Sequence, residues 1–157
     1  MQATLTPAEI LEEARALAAE QFGGSLATLH AEDGTPYVTF VLFHMRPDGS
    51  ILFGSGRSPQ HSRNMDATPE VSFLIDNREV IATHWPDFKR CIIEGMAQKI
   101  VKGDALYESL VAELQERSRL AVTFTEGGAL YRILPRRLVL QKGIEPARHI
   151  IDFEQER

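Results

Sequence analysis

A polar segment that follows an apolar run carries the residues best suited to chemistry. The run 51–53 ends at a Gly-Ser-Gly-Arg sequence, and histidine, serine, arginine and asparagine follow shortly after it. The candidate ligands are Ser55, Gly56, Arg57, Ser58, His61, Ser62, Arg63 and Asn64. Guanidinium, imidazole and hydroxyl groups, with backbone N–H groups at a helix start, are donors that proteins use to bind phosphate. The segment therefore predicts the binding site of a phosphate-bearing cofactor.

Each of these residues also has an ordinary structural explanation. A solvated surface loop would carry the same arginines and histidine, while Asn64 could cap the short helical turn predicted over 64–68 and the serines could close turns. The lone Cys91 lies in an apolar run, which indicates a buried and unreactive thiol. The five histidines show no metal-ligand spacing, so no metal site is predicted.

The composition is that of an ordinary globular protein, since 43% of the 157 residues are hydrophobic and 25% are charged. The net charge of −5 argues against a nucleic-acid-binding protein, and no apolar run is long enough to span a membrane. The N-terminus lacks the pattern of a secretory signal peptide, so we expect a cytoplasmic protein. No linker or repeat interrupts the chain, which predicts one domain over 1–157, with a helix at about 7–22, a barrel at about 25–142 and a C-terminal tail.

Turn signals divide most of the chain into strands. The sequence TPAE at 6–9 is a capping box with proline at the first helical position. Asp-Gly pairs at 33–34 and 48–49 predict an antiparallel meander of strands 25–30, 37–45 and 50–53. Further strands are expected at 70–75, 88–101 (bent or bulged at Gly95), 120–124, 129–134 and 136–141, and Asp104 is expected to cap a second helix. Six or more antiparallel strands with two substantial helices favour a mainly β fold, a β-barrel with flanking helices.

The order of these segments resembles that of the FMN-binding split-barrel proteins related to pyridoxamine 5′-phosphate oxidase. The resemblance spans about 22–150 and is carried by GSLATL (24–29), DGTPY (33–37), DGSILF (48–53), HSRNM (61–65), PEVSF (69–73) and IEGMA (93–97). The stretch 60–65 is similar to the branch that includes haem-utilisation proteins, in which a histidine, here His61, often replaces a lysine near the phosphate. The tail 142–150 is similar to the glycine-rich end of that branch and departs from it at Ile144 and Glu145.

The resemblance implies a six-stranded antiparallel split barrel of the FMN-binding type, a homodimer with cofactor sites at the subunit interface, and oxidoreductase activity on a small-molecule substrate. Further candidate cofactor contacts are Thr39, His44 and Trp85. His44 could equally be an exposed edge residue, Trp85 could equally pack in the dimer, and either face of the strand 37–44 could meet the cofactor. Thr39 stands where the biosynthetic oxidase has an arginine, and the C-terminal segment lacks that enzyme's tryptophan. We therefore expect a substrate other than pyridoxine or pyridoxamine phosphate.

Three alternatives are open at this point. A deazaflavin could replace FMN, the protein could bind haem or flavin without turnover, or the barrel could have lost its cofactor. No catalytic residue is predicted, because a bound flavin itself carries the redox chemistry.

Overall fold

The computed structural model describes residues 4–56, 59–126, 129–144 and 147–154. The helices are α1 (Pro7–Ala19), α2 (Gln60–Ala67), α3 (Ile81–His84), α4 (Tyr107–Arg117) and α5 (Arg119–Thr123), with short 3-10 turns at Arg78–Val80 and Trp85–Asp87. The strands are β1 (Gly23–Leu29), β2 (Pro36–Leu42), β3 (His44–Met45), β4 (Ile51–Ser55), β5 (Glu70–Asp76), β6 (Lys89–Ile100), β7 (Ala129–Lys142) and β8 (Arg148–Asp152).

The strands form one antiparallel sheet that closes on itself. Its order is β2-β1-β5-β6-β7-β4-β3, and β8 pairs with the C-terminal half of β7. β2 and β3 lie at opposite ends of this order, yet only Phe43 separates them along the chain. The sheet must therefore curl until its ends meet, and no ladder joins β2 to β4 among the described residues. The result is a barrel with an open seam between β2 and β4.

Two apolar clusters hold the barrel and the helices together. The main core combines the inward face of the strands with α1, which buries Ile10, Ala14 and Leu17 against it. Because successive strand residues face opposite sides, Leu52 of β4 points away from this core. It joins the second cluster, in which α4 and α5 pack on the outer face of β4 and β7. The second cluster consists of Leu52, Ile100, Tyr107, Leu110, Leu114, Ala121 and Leu130.

Several local predictions are confirmed. The Thr6 hydroxyl accepts a hydrogen bond from the backbone N–H of Glu9 at 3.2 Å, and the Glu9 carboxylate accepts one from the backbone N–H of Thr6 at 2.9 Å. Both Asp-Gly segments form the predicted hairpin turns. In β6 the register shifts between Glu94 and Gly95. A Cβ on Gly95 would lie 2.2 Å from the carbonyl oxygen of Leu134, which explains the glycine at this bulge.

Other predictions are corrected. The fold is mainly β with flanking helices, as predicted, but the described residues form a sheet of eight strands instead of six. The predicted strand 37–45 is divided into β2, which pairs with β1, and β3, which pairs with β4. Both predicted hairpins therefore form, but they lie at opposite ends of the sheet order and are not one continuous meander. The predicted strands 129–134 and 136–141 are one strand, β7, while β8 was not predicted. The predicted strand 120–124 is wrong, since these residues form most of α5, capped by the Ser118 hydroxyl.

Candidate functional site

The seam between β2 and β4 opens into a cavity of about 470 Å³. Its lining residues are Phe40, Val41, Leu42, Gly54, Ser55, Gly56, Pro59, His61, Leu120 and Phe124. The polar groups Ser55 and His61 lie where β4 ends and α2 begins. The remaining walls are apolar and come from β2 and α5. The cavity therefore has one polar end and one apolar end, as small-molecule sites commonly do.

Gly54 allows α5 to form a wall of this cavity. It lies inside β4, and a Cβ at this position would come within 2.8 Å of Thr125 Cγ2 and 2.9 Å of the Ala121 carbonyl oxygen. Any larger residue would push the end of α5 away from the strand. That displacement would move the apolar side chains of Leu120, in α5, and Phe124, directly after it.

Ser55, His61 and Ser62 form a hydrogen-bonded cluster at the polar end. Ser55 Oγ lies 3.1 Å from His61 Nε2 and is also hydrogen-bonded to Ser62 Oγ. Ser55 is 2% exposed and Ser62 is 7% exposed, so both hydroxyls are shielded from bulk water. Burial lowers the pKa of His61 from its ordinary value, which favours the neutral imidazole. The structure thus brings three of the predicted phosphate ligands together.

Tyr131 of β7 lies next to this cluster. The Tyr131 hydroxyl donates to Asp66 Oδ1 at 2.9 Å. Burial and the Asp66 carboxylate both raise the pKa of Tyr131. Lys99 Nζ lies 3.3 Å from the other oxygen of Asp66. Sequence reasoning did not find this pair, because Asp66 and Tyr131 are distant in sequence and neither belongs to a motif.

Asn64 and Arg63 are not among the residues that line the cavity. Asn64 is fully buried, donates to the Thr28 hydroxyl at 2.9 Å, and accepts from the backbone N–H of Ala31 at 2.9 Å. It lies inside α2 and is not the cap that was considered as its other role. Arg63 Nη2 donates to Gln60 Oε1 at 2.5 Å. Asn64 therefore ties α2 to β1 and to the β1–β2 turn.

Thr39, His44 and Trp85 do not line the cavity in the part of the chain that the structure describes. Thr39 pairs with the buried Leu26 and shares its core-facing side of the sheet, whereas Phe40 faces the cavity. Trp85 is half-exposed in the connection between β5 and β6. These three candidates are thus spread over separate regions, and Arg57 and Ser58 lie outside the described residues.

His44 of β3 belongs to a charged cluster with α4. Its Nε2 lies 4.0 Å from Glu113 Oε2, and Arg46 Nε donates to the same oxygen at 2.9 Å. Burial lowers the pKa of His44, while Glu113 opposes that shift. The cluster joins α4 to the edge of the sheet, which is a sufficient structural role for His44.

The described residues give little support for a metal site, a reactive cysteine or a membrane-spanning helix. No group of three His, Cys, Asp or Glu side chains there could hold a metal ion. Cys91 is fully buried, as predicted, and burial raises the pKa of its thiol to about 12. Within the same residues, no helix is long and apolar enough to cross a membrane.

Comparison with known families gives one match over most of the chain. A family model described as pyridoxamine 5′-phosphate oxidase matches residues 10–150. No curated protein matches the sequence.

Solved structures share the fold at low sequence identity. A haem-binding protein from Mycobacterium smegmatis is 23% identical with a TM-score of 0.78, over 97% of this chain and 60% of that one. HutZ, the haem storage protein from Vibrio cholerae, is 23% identical with a TM-score of 0.66, over 84% of this chain and 93% of that one. A protein related to general stress protein 26, from Clostridium acetobutylicum, is 10% identical with a TM-score of 0.68, over 97% of this chain and 100% of that one. This chain spans less than two thirds of the Mycobacterium protein.

Proposed function

Because the chain belongs to the pyridoxamine 5′-phosphate oxidase family, we propose that it binds FMN non-covalently in the cavity between β2 and β4 and is an oxidoreductase acting on a small molecule. The observation that carries this proposal is the division of the cavity into a polar and an apolar end. FMN has the same division, with a phosphate at one end and a planar ring system at the other.

The residues at the polar end fit a phosphate. Ser55 and His61 line the cavity, and His61 lies in the first turn of α2, where backbone N–H groups lack helical partners. Helix N-termini and charge-assisted hydrogen bonds are favourable for anions. A Cβ at Gly56 would meet nothing within 4 Å, so the backbone is open to a ligand at this point.

The residues at the apolar end fit a planar ring. The cavity is lined by Phe40 and Leu42 of β2, and by Leu120 and Phe124 from α5 and the residue that follows it. Two apolar walls of this kind would hold a ring by contact and exclude water from it. When bound, FMN would supply the hydride or electron transfer, and the chain would bind, orient and shield it.

A second copy of the chain is the proposed cover for the exposed apolar face of β2. Val38 is 66% exposed and Phe40 is 64% exposed on that face, and Phe22 nearby is 89% exposed. A surface of this kind beside a ligand cavity is typical of an interaction site. A homodimer with the cofactor at the interface accounts for the exposure. Sedimentation of the wild type and of Phe40→Asp tests it, with a dimer expected only for the wild type.

The decisive experiment for the cofactor compares FMN with riboflavin, which lacks the phosphate. His61→Ala should lower FMN affinity roughly 10- to 100-fold, because a hydrogen bond to a charged group contributes about 1.5–3 kcal/mol. Riboflavin affinity should be unchanged. His84→Ala, at an exposed histidine of α3, is the matched control. Equal losses for both ligands, or no loss for FMN, would refute the assignment of the phosphate site.

Haem binding is the second candidate function, and one observation favours it. His61 lines an apolar cavity, and two proteins of the same fold are described as haem-binding or haem-storing. The contact of His61 Nε2 with Ser55 counts against it, because axial ligation through that nitrogen would break the hydrogen bond. The absorbance spectrum of the purified protein separates the possibilities: a flavin spectrum supports FMN, a Soret band after haem addition supports haem, and a released deazaflavin supports that third cofactor.

A further inference from the structure

The two apolar walls of the cavity belong to parts of the fold that no strand ladder joins. Phe40 and Leu42 lie on β2, whereas Leu120 lies in α5 and Phe124 directly after it. The seam between β2 and β4 is open among the described residues. The width of the cavity must therefore be fixed by contacts other than strand pairing.

Helix α4 is attached by hydrogen bonds to both sides of this seam. On the β3 side, Arg46 donates to the Glu113 carboxylate through Nε at 2.9 Å and through Nη2 at 3.2 Å. On the β1 side, Arg117 Nη2 donates to the carbonyl oxygens of Ala18 at 3.2 Å and Gln21 at 2.5 Å. A cation is favourable there, because these carbonyls lie at the C-terminal end of α1.

The Gln21 carbonyl is close along the chain to the β2 wall. Gln21 precedes by two residues Gly23, which begins β1 and pairs with Leu42. A Cβ on Gly23 would lie 2.2 Å from Phe40 Cζ, so the Phe40 ring packs against the backbone of Gly23. The position of Gln21 is thus linked through a short piece of backbone to both side chains of this wall.

Arg117 is linked just as closely to the α5 wall. The next residue, Ser118, ends α4 and begins α5. Its backbone N–H donates to the Leu114 carbonyl oxygen at 2.9 Å, and its hydroxyl accepts from the Ala121 N–H at 3.2 Å. Leu114 and Ala121 are both buried in the second apolar cluster. A shift of Arg117 would therefore be passed on to α5 and to the side chains that line the cavity.

We propose that Arg117 is a positioning residue that holds the two walls of the cavity together across the open seam. It is not among the residues that line the cavity, so it acts through the walls. Loss of its hydrogen bonds would let α5 move away from β2. α4 and α5 thus form a cover, and its attachment at Arg117 controls how readily a ring-shaped ligand enters and leaves. That the ring is a flavin rests on the proposed function, whereas the attachment does not.

Amide hydrogen exchange of the cofactor-free protein, measured by NMR, tests the attachment. Arg117→Met should raise the exchange rates of the Ala121 and Thr125 amides, at the start of α5 and just after its end, roughly 10-fold, because hydrogen bonds from a charged group are lost. Arg46→Met is the matched control, since it removes the other attachment of α4, and it should leave these two rates unchanged. Equal increases in both variants, or no increase in Arg117→Met, would overturn the proposal.

Arg117→Lys is the milder change and gives the test if Arg117→Met does not fold. Lysine keeps the positive charge at the end of α1 but has a shorter side chain without the guanidinium group. The same two amides should therefore exchange faster than in the wild type. Wild-type rates in a folded Arg117→Lys variant would then refute the attachment.

Riboflavin tests the effect of the cover on a ligand, because its ring binds without a phosphate contact. Stopped-flow fluorescence gives its association and dissociation rates. Both rates should rise in Arg117→Met and in neither direction in Arg46→Met, because a looser cover opens the same path for entry and exit. Unchanged or slower rates in Arg117→Met would overturn the role of the cover. Failure of riboflavin and FMN to bind the wild type would refute the proposed function and leave the exchange result standing.

Discussion

Replacing Asn64 by alanine separates a structural role from a ligand role for this residue. Asn64 is fully buried and makes hydrogen bonds with the Thr28 hydroxyl, the Ala31 backbone N–H and Gln60 Nε2, at 2.9, 2.9 and 2.7 Å. A hydrogen bond contributes about 1 kcal/mol net, and a buried partner left unpaired costs about 1–3 kcal/mol. Thr28 is 3% exposed and would lose its donor, whereas Gln60 can turn to water. We expect Asn64→Ala to lower the free energy of unfolding by about 3 kcal/mol.

Urea denaturation of the cofactor-free protein measures this loss. Gln60→Ala is the matched control. Of the three Asn64 bonds it removes only the outermost, and the contacts of Gln60 with Glu32 and Arg63 that it also removes are exposed, so its loss should stay below about 1 kcal/mol. Equal effects of the two variants would refute the structural assignment of Asn64. So would a large loss of FMN affinity in Asn64→Ala without any loss of stability, since that pattern identifies a ligand contact.

Three further predictions concern the sheet, the thiol and pH. Gly95→Ala should destabilise the protein by at least about 2 kcal/mol in urea, because its Cβ would meet the Leu134 carbonyl; a neutral effect would contradict the bulge geometry. Cys91 should react with a thiol reagent only after unfolding, because its thiol is buried with a pKa of about 12; rapid labelling of the folded protein would contradict this. The pKa values of His44 and His61 lie below 6.5, so the unfolded chain binds more protons and stability should fall as pH drops from 6.5. The urea midpoint, measured between about pH 5 and 7, tests this. The double variant His44→Gln/His61→Gln should show a smaller dependence of the midpoint on pH.

The parts of the fold that were predictable depend on local interactions. The capping box and the Asp-Gly turns each depend on neighbouring residues, and both are confirmed. The family match over residues 10–150 and the mainly β architecture also agree with the resemblance seen in the sequence. The pairing of β4 with β7 was not predictable, because no local signal joins strands so distant along the chain.

The error at 120–124 has a physical cause. The sequence LAVTF is too short and too apolar for periodicity to distinguish a strand from a helix. Ser118, which caps α5 by accepting from Ala121 N–H at 3.2 Å, was the available signal. The error mattered for the site, because α5 supplies one apolar wall of the cavity.

The candidate site was predictable only at its polar end. Ser55, His61 and Ser62 lie close in sequence, and the turn from β4 into α2 brings them together. Asp66 and Tyr131, from opposite halves of the sequence, form a further hydrogen bond beside this cluster. Their contact depends on the packing of α2 against β7, which single-sequence reasoning does not supply.

The single residue between β2 and β3 makes the barrel sensitive to a change in chain length. Side chains alternate between the two faces of a strand. Inserting one residue at Phe43 would therefore exchange the inward and outward positions of either β2 or β3. Either Val41 would leave the core or Met45 would, and both are buried. The same insertion at the exposed turn after His30 would change neither strand. Length variation among natural homologues should therefore occur at the turns and avoid position 43.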